Sequence, residues 1–438
     1  MTGTPTEEPR DARRETAREC VAAGIDAASP ERAVREQVTL DGESLRIGDR
    51  TYPLDDYDRA LVVGGGKASA AVARGLGAVL GDRLDGGLVV TDGDETTERV
   101  EVAVGDHPVP SERNVAATER VVDLLADADE RTLVLAPVTG GGSALLCAPT
   151  VALDDYRDLT DALVESGASI DEVNAVRRRL SRVKGGGLAE TATPATVVAM
   201  LVSDVVGDDP AVVASGPFTP AATSAAEALA VLDRYDLDAT AEVRDAIRDA
   251  APADGPFEHV HTHLLVTVRT AVDAAADRAR AAGYDPLVLS SRMRGEAREN
   301  ALAHVAVAEE SLATGDPAVP PLALLSGGEL TVTVRGDGDG GPNLEFALAA
   351  ALSCPPGVTV ASVDTDGRDG GTDVAGAVID GTTLDDAAAA RDALDRNDAL
   401  SVLVKAGAVL ELDSETNVND LRVVLVNRDE RSPSDDSG

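Results

Sequence analysis

Three lysines stand against thirty-six arginines in this chain, and two of the three sit in glycine-rich loops. Lys67 closes Gly64-Gly65-Gly66-Lys67 after the apolar run Leu61-Val62-Val63, and Lys184 opens Lys184-Gly185-Gly186-Gly187. A compact ammonium beside exposed backbone amides suits a mobile phosphoryl group, whereas a planar guanidinium favours a fixed fork. Another loop, Thr139-Gly140-Gly141-Gly142-Ser143, follows Leu133-Val134-Leu135. Its glycines let the backbone approach a ligand, and a following helix turns its positive end toward an anion. The Lys67 loop is no Walker motif, because the four-residue spacer is missing and Ala68 follows the lysine. It is no dinucleotide fingerprint either, since Ser69 stands where a third glycine is needed. Two such loops after strands of one sheet point to a polyphosphate site. The expected contacts are Gly64, Gly65, Gly66, Gly140, Gly141, Gly142 and Ser143, with Lys67 on the phosphoryl group.

Charge gathers at three further places. Four arginines fall among the six residues from Arg177 to Arg182, between Asn174 and Lys184. That density should hold a carboxylate, a phosphate or both. Acids follow two other strands, in Ser203-Asp204-Val205-Val206-Gly207-Asp208-Asp209 and in the stretch from Asp364 to Asp373. Carboxylates at strand ends near phosphate loops ligate magnesium, in part through water, and Asp204, Asp366 and Asp369 are the expected ligands. The second stretch is no EF-hand, because the glutamate at its twelfth position is missing and a strand precedes it. His107 is the one histidine in a loop of this kind. No Ser-His-Asp or Cys-His arrangement carries a local signature.

Alternating elements must position these loops. A helix is expected over about 11–28, with strands at 61–63, 87–90, 100–104, 133–135 and 197–202, and Ser111 caps a helix with Arg113 and Asn114 behind it. Near-continuous apolar strands separated by helices mean a buried parallel sheet, with ligands beyond its carboxyl ends. A second series follows, with strands at 263–268, 286–289, 322–325, 330–334, 358–363 and 421–426 and a helix over 270–282. Ala251-Pro252-Ala253-Asp254-Gly255-Pro256 marks a junction. The division is therefore a Rossmann-like domain over 10–252 and a second α/β domain over 257–429, with disordered ends at 1–9 and 430–438.

Composition narrows the class. Apolar residues make up 43% and aromatics 2% with no tryptophan, so the core must be built from Ala, Val and Leu. A formal charge of −39, spread along the chain, argues against nucleic acid as a partner. Such a charge is tolerated where screening is strong, roughly 3 Å at 1 M salt, which with scarce lysine suggests the cytoplasm of a halophile. Cys20, Cys147 and Cys354 have neither metal spacing nor an even count, as in a reducing cytoplasm. No apolar run reaches the roughly 18 residues of a membrane span, and the first residues do not form a signal peptide.

These segments, in this order, resemble the class II glycerate 2-kinase family, whose C-terminal part is known as the MOFRL domain. The matching stretches are Val63-Gly64-Gly65-Gly66-Lys67-Ala68, Gly105-Asp106-His107-Pro108-Val109-Pro110, Gly140-Gly141-Gly142-Ser143, Asn174-Ala175-Val176-Arg177-Arg178 and Lys184-Gly185-Gly186. They continue with Ser203-Asp204-Val205-Val206-Gly207-Asp208-Asp209, Ala214-Ser215-Gly216-Pro217, Gly295-Glu296-Ala297, Ser326-Gly327-Gly328-Glu329, Asp366-Gly367-Arg368-Asp369-Gly370-Gly371 and Thr416-Asn417-Val418-Asn419-Asp420. The resemblance implies phosphorylation of the 2-hydroxyl of D-glycerate by ATP with Mg2+ or another divalent cation. It implies two α/β domains with the site in the cleft between them. Lys67 becomes the cleft lysine, Asn174, Arg177, Arg178 and Lys184 become substrate contacts, and Gly327 and Gly328 become further nucleotide contacts. Small-molecule partners alone are implied, and a homodimer is left open.

Two departures bear on mechanism. The family's Gly-Gly-Arg-Asn-Gln-Glu is Gly340-Gly341-Pro342-Asn343-Leu344-Glu345 here, so Arg368 or the cluster at 177–179 must replace the cleft arginine. Val266-Thr267-Val268-Arg269 lacks the family's Gly-Ser-Asn. Asp204, directly after a strand, is the expected acceptor of the hydroxyl proton. A hydroxypyruvate reductase is the rival enzyme, but it would need the dinucleotide loop that Lys67 and Ser69 interrupt. A binding protein without catalysis is the third reading.

Overall fold

The computed structural model describes residues 10–220, 223–251, 253 and 255–428, and the disorder expected for 1–9 and 430–438 falls outside them. The contacts divide the chain into two compact units, Pro30–Val266 and a second made of the chain up to Ser29 together with Thr267 onward. The division thus falls at two places, not at the expected junction near 252–257.

The first unit opens with a three-stranded antiparallel meander, β1 (Val38–Asp41), β2 (Ser44–Ile47) and β3 (Arg50–Pro53). Its two-residue turns carry Gly42 and Gly48 at positive φ, as tight hairpins require. Six strands follow: β4 (Arg59–Gly65), β5 (Gly86–Thr91), β6 (Glu101–Val104), β7 (Thr132–Thr139), β8 (Thr196–Val202) and β9 (Val260–Val266). All pair in parallel, in the order β6-β5-β4-β7-β8-β9. That is the doubly wound arrangement, in which the connection reverses direction between β4 and β7. The loops leaving those two strands are the Lys67 loop and the Gly140 loop. Ser111 caps the helix Glu112–Ala126 and forms a reciprocal pair with Asn114, as expected. The core is Val, Leu and Ala from β4, β5, β7 and β8 against helices such as 112–126.

The second unit carries β10 (Asp285–Met293), β11 (Leu322–Gly328), β12 (Val358–Asp364), β13 (Gly376–Asp380), β14 (Val409–Leu410) and β15 (Asp420–Val426). Their order is β10-β11-β15-β12-β13-β14, and only β10 and β11 are parallel. No strand forms at the expected 330–334. There the backbone amides go elsewhere: Leu330 N to Asp420 Oδ2, Thr331 N to the Gly295 carbonyl, Thr333 N to Glu296 Oε2 and Arg335 N to Asn397 Oδ1. The N-terminal helix Arg10–Ala27 belongs to this unit. A Cβ on Gly24 would lie 2.5 Å from Leu421 Cδ2 and 2.9 Å from the Ala271 carbonyl oxygen, so the helix packs tightly on β15 and on the helix Val268–Ala281. Arg10 and Arg14 donate to Asp380 Oδ2 at 2.8 and 2.7 Å. Burial works against that carboxylate, but these arginines and Thr382 hold its pKa at about 2.

Candidate active site

The switch between β4 and β7 brings the two loops into direct contact. Lys67 N donates to the Gly140 carbonyl at 2.8 Å, Ala68 N to Thr139 Oγ1 at 3.1 Å, and Gly66 N to the Val90 carbonyl at 2.9 Å. Thr91 Oγ1 donates to the Lys67 carbonyl at 3.0 Å, which pins the lysine backbone from the β5 side. Asp204, at the end of β8, reaches the same turn. A Cβ on Gly140 would stand 2.3 Å from Asp204 Oδ2, and one on Gly141 would stand 3.0 Å from Lys67 Cγ and 3.2 Å from His107 Cδ2. Glycine at 140 and 141 is therefore what lets a lysine, a carboxylate and an imidazole share one turn. Burial raises the Asp204 pKa to about 6, against the pull of its own amide, the Lys67 charge and the Gly141 amide. That value lies where a carboxylate can take up a proton near neutrality.

Behind the turn lies a polar chain that the sequence only half discloses. Ser143 Oγ and Ser215 Oγ are 2.8 Å apart, and Ser215 Oγ donates to Asn174 Oδ1 at 2.8 Å. Asn174 is buried, and its Nδ2 has no hydrogen-bond partner among the described residues. Ala214 and Ser215 adopt positive φ of 51° and 64° without being glycine, a strain of the kind concentrated at functional sites. Ser215 and His107 thus lie beside the candidate site, though neither was among the expected contacts. Their only sequence signals were the Ala-Ser-Gly-Pro and Gly-Asp-His-Pro stretches.

The other expected contacts divide. Gly64 and Gly65 lie within β4, packed on Pro137 and Leu146. The helix after the Gly140 loop is one turn long, Gly142–Leu145, too short for much dipole. Lys184 Nζ is buried and donates to the Ser143 and Leu146 carbonyls at 2.7 and 2.9 Å, so it braces that turn. Burial lowers its pKa to about 8. Arg178 Nη2 is spent on the Ala211 carbonyl, Arg179 holds the Ile247 carbonyl, and Arg182 pairs with Glu119. Arg177 is half-buried.

In the second unit, Asp369 is fully buried and accepts from Asn343 N, Leu344 N and Asn343 Nδ2 at 2.9, 2.7 and 3.1 Å. It anchors the first turn of the helix Pro342–Ala351, where the macrodipole favours an anion, which speaks against the expected role as a metal ligand. Asn343 also donates to Asp420 Oδ1 at 2.7 Å, and the fully buried Arg422 pairs with Asp420 Oδ2. Asp366 is half-buried at the loop after β12, and Arg368 is exposed beyond it. Asp364, opposite Asp420 in the strand register, has its pKa raised to about 9 by burial and by Asp420 and Asp366. Gly327 and Gly328 are buried, pressed against Val268 and Met293, which accounts for their size without a ligand. Among the described residues, no group of three or more His, Cys, Asp or Glu stands ready to hold a metal.

Residues 16–248 match the model of a domain of unknown function, DUF4147, and residues 322–420 match the MOFRL family. The chain is 37% identical over 420 residues to a D-glycerate 2-kinase of Thermotoga maritima, across 93% of this chain and 97% of that protein. It is 32% identical over 433 residues to a glycerate 2-kinase of Pyrococcus horikoshii, across 94% and 97%. A protein of Agrobacterium vitis, provisionally named hydroxypyruvate reductase, is 38% identical across 84% of this chain and 87% of its own length. The crystal structure of the Thermotoga maritima glycerate kinase superposes with a TM-score of 0.85 at 36% identity, over 95% of this chain and 100% of that one. With both halves of the sequence, the fold and the order of the loops in agreement, this chain belongs to the glycerate 2-kinase family that ends in the MOFRL domain.

Proposed function

We propose that the protein transfers the γ-phosphoryl group of ATP to the 2-hydroxyl of D-glycerate. The observation that carries this reading is the convergence of Lys67 and Asp204 on the Gly140–Gly141 turn. Phosphoryl transfer asks little covalent chemistry of a protein; it asks for positioning and for charge where charge develops. The Lys67 ammonium meets the equatorial oxygens of the transferring group, and the glycine loop lets that group lie close to backbone. Asp204 accepts the hydroxyl proton as the oxygen attacks, which its pKa near 6 permits at neutral pH. The buried Asn174 Nδ2, held in place through Ser215, is the donor assigned to glycerate. Arg177 meets its carboxylate. A divalent cation bound with ATP would neutralise phosphate charge. The cytoplasm of a halophile, suggested by the acid excess, is the setting for these steps.

A reductase reading draws on the Agrobacterium vitis name alone. At the β4 switch, where a dinucleotide pyrophosphate would lie against a third glycine, this chain places Lys67 and the buried Ser69. Phosphorus NMR of the product from D-glycerate, ATP and magnesium in concentrated KCl tests the proposal. A 2-phosphate is expected; a 3-phosphate overturns the regiochemistry. Nicotinamide oxidation by hydroxypyruvate without ATP would overturn the class.

A further inference from the structure

The arginines crowded into one segment line a cavity of their own, of about 300 Å³. We propose that this cavity is a second anion site, taking a small phosphoryl dianion at a place separate from the transfer site. Among the described residues its charged walls are Arg178, Arg179, Arg182 and Lys184, opposed by the single carboxylate of Glu190. In a chain of net charge −39, four cations to one anion is a local reversal of sign. An anion entering it is attracted by the nearest groups and screened from the rest.

The donors are arranged for a guest. Arg178 is tied down through Nη2 on the Ala211 carbonyl, yet its Nε is buried without a hydrogen-bond partner among the described residues. A buried N–H left unmet is costly, and an oxygen of the guest would satisfy it. Arg182 holds only Glu119, and both side chains are nearly half exposed, so exchanging that partner for a phosphate costs little. Arg179 is fixed on the Ile247 carbonyl, which gives the wall a rigid cation. None of Lys67, Gly140–Ser143 or Asp204 lines the cavity. The connection between the two sites is Lys184, which forms part of the wall while its ammonium braces the turn after the glycine loop.

Calorimetric titration of inorganic phosphate into the full-length protein at one fixed KCl concentration tests this, with circular dichroism melts to confirm that each variant is folded. Lys67→Met should bind phosphate within about twofold of wild type, while Arg182→Gln binds at least about tenfold more weakly. Arg178→Gln should be weaker still; if it does not fold, Arg182→Gln decides alone because Arg182 is exposed. Any other pattern overturns the site: no phosphate binding by wild type, binding lost in Lys67→Met, or binding unchanged in Arg182→Gln. Repeating the titration of Lys67→Met with 2-phosphoglycerate distinguishes the sources. Tighter binding than phosphate assigns the cavity to an organic phosphate, and equal binding assigns it to the free ion.

Discussion

Two loop clusters of this protein carry buried carboxylates at strand ends, and they use them in opposite ways. In the first unit, Asp204 stands against a glycine turn with a lysine across from it, and burial raises its carboxyl pKa to about 6. In the second, Asp369 is more deeply buried and burial raises its carboxyl pKa to about 6 as well, against three N–H groups of Asn343 and Leu344. One carboxylate faces a lysine across a glycine turn; the other starts a helix. A strand-end aspartate near a glycine-rich loop is therefore no sign of a ligand by itself. What separates the two is their surroundings: Asp204 shares its turn with the Lys67 charge, whereas Asp369 holds the N–H groups that open a helix.

The largest break in that comparison should come from Lys67→Arg. It keeps the charge but not the compact head, and a loss of about a thousandfold in kcat/KM is expected, while Lys405→Arg changes turnover less than twofold. Near-normal activity in Lys67→Arg would remove the lysine from the transfer step. Asp204→Asn should cost about a hundredfold in kcat and also make the protein more stable at neutral pH. The sign follows from linkage. With the folded pKa near 6 and the unfolded one near 3.8, ionisation penalises the native state progressively from pH 4 to 6 and fully above it. Melting curves should show the stabilisation above pH 6 and none below pH 4. A destabilised Asp204→Asn at pH 7 would contradict the contrast drawn here.

Asp369→Asn sharpens the other half. It should lower stability by about 2–4 kcal/mol in urea unfolding, and leave the magnesium dependence of the surviving activity unchanged. A shifted magnesium requirement with intact stability would return Asp369 to the metal. Asp380→Asn is the smaller structural case, read by acid titration. Its folded pKa of about 2 lies below the unfolded value, so the stability it contributes is present above pH 4 and lost as pH falls toward 2. The variant should lose that slope and little else. Ser215→Ala is expected to have the mildest effect, severalfold in KM for glycerate with kcat nearly kept, because it only orients Asn174.

Much of the first unit was legible because strands covered on both faces read as unbroken apolar runs, and β4, β5, β7 and β8 all do. The meander was missed although Asp41-Gly42 and Gly48-Asp49 are hairpin signals, since its strands are only four residues long. The expected strand at 330–334 failed for another reason: side chains distant in sequence, Asp420, Glu296 and Asn397, took its amides. Lys67 and Asp204, on which the proposed function rests, stood out in the sequence by loop chemistry and position. Ser215 did not, because a positive φ on a serine leaves no mark in the sequence. Consecutive residues on the helix Ile170–Arg179 project about 100° apart, and Arg177 does not line the cavity that Arg178, Arg179 and Arg182 share.

The N-terminal helix has a consequence for how the chain is made. Arg10–Ala27 leaves the ribosome before the rest of its unit, yet its seat on β15 exists only once residues 420–426 have been synthesised. The intervening stretch from Pro30 to Val266 can condense on its own while the helix waits undocked. Until then that helix is an orphan with an apolar face, and β15 is what completes the unit that the helix begins.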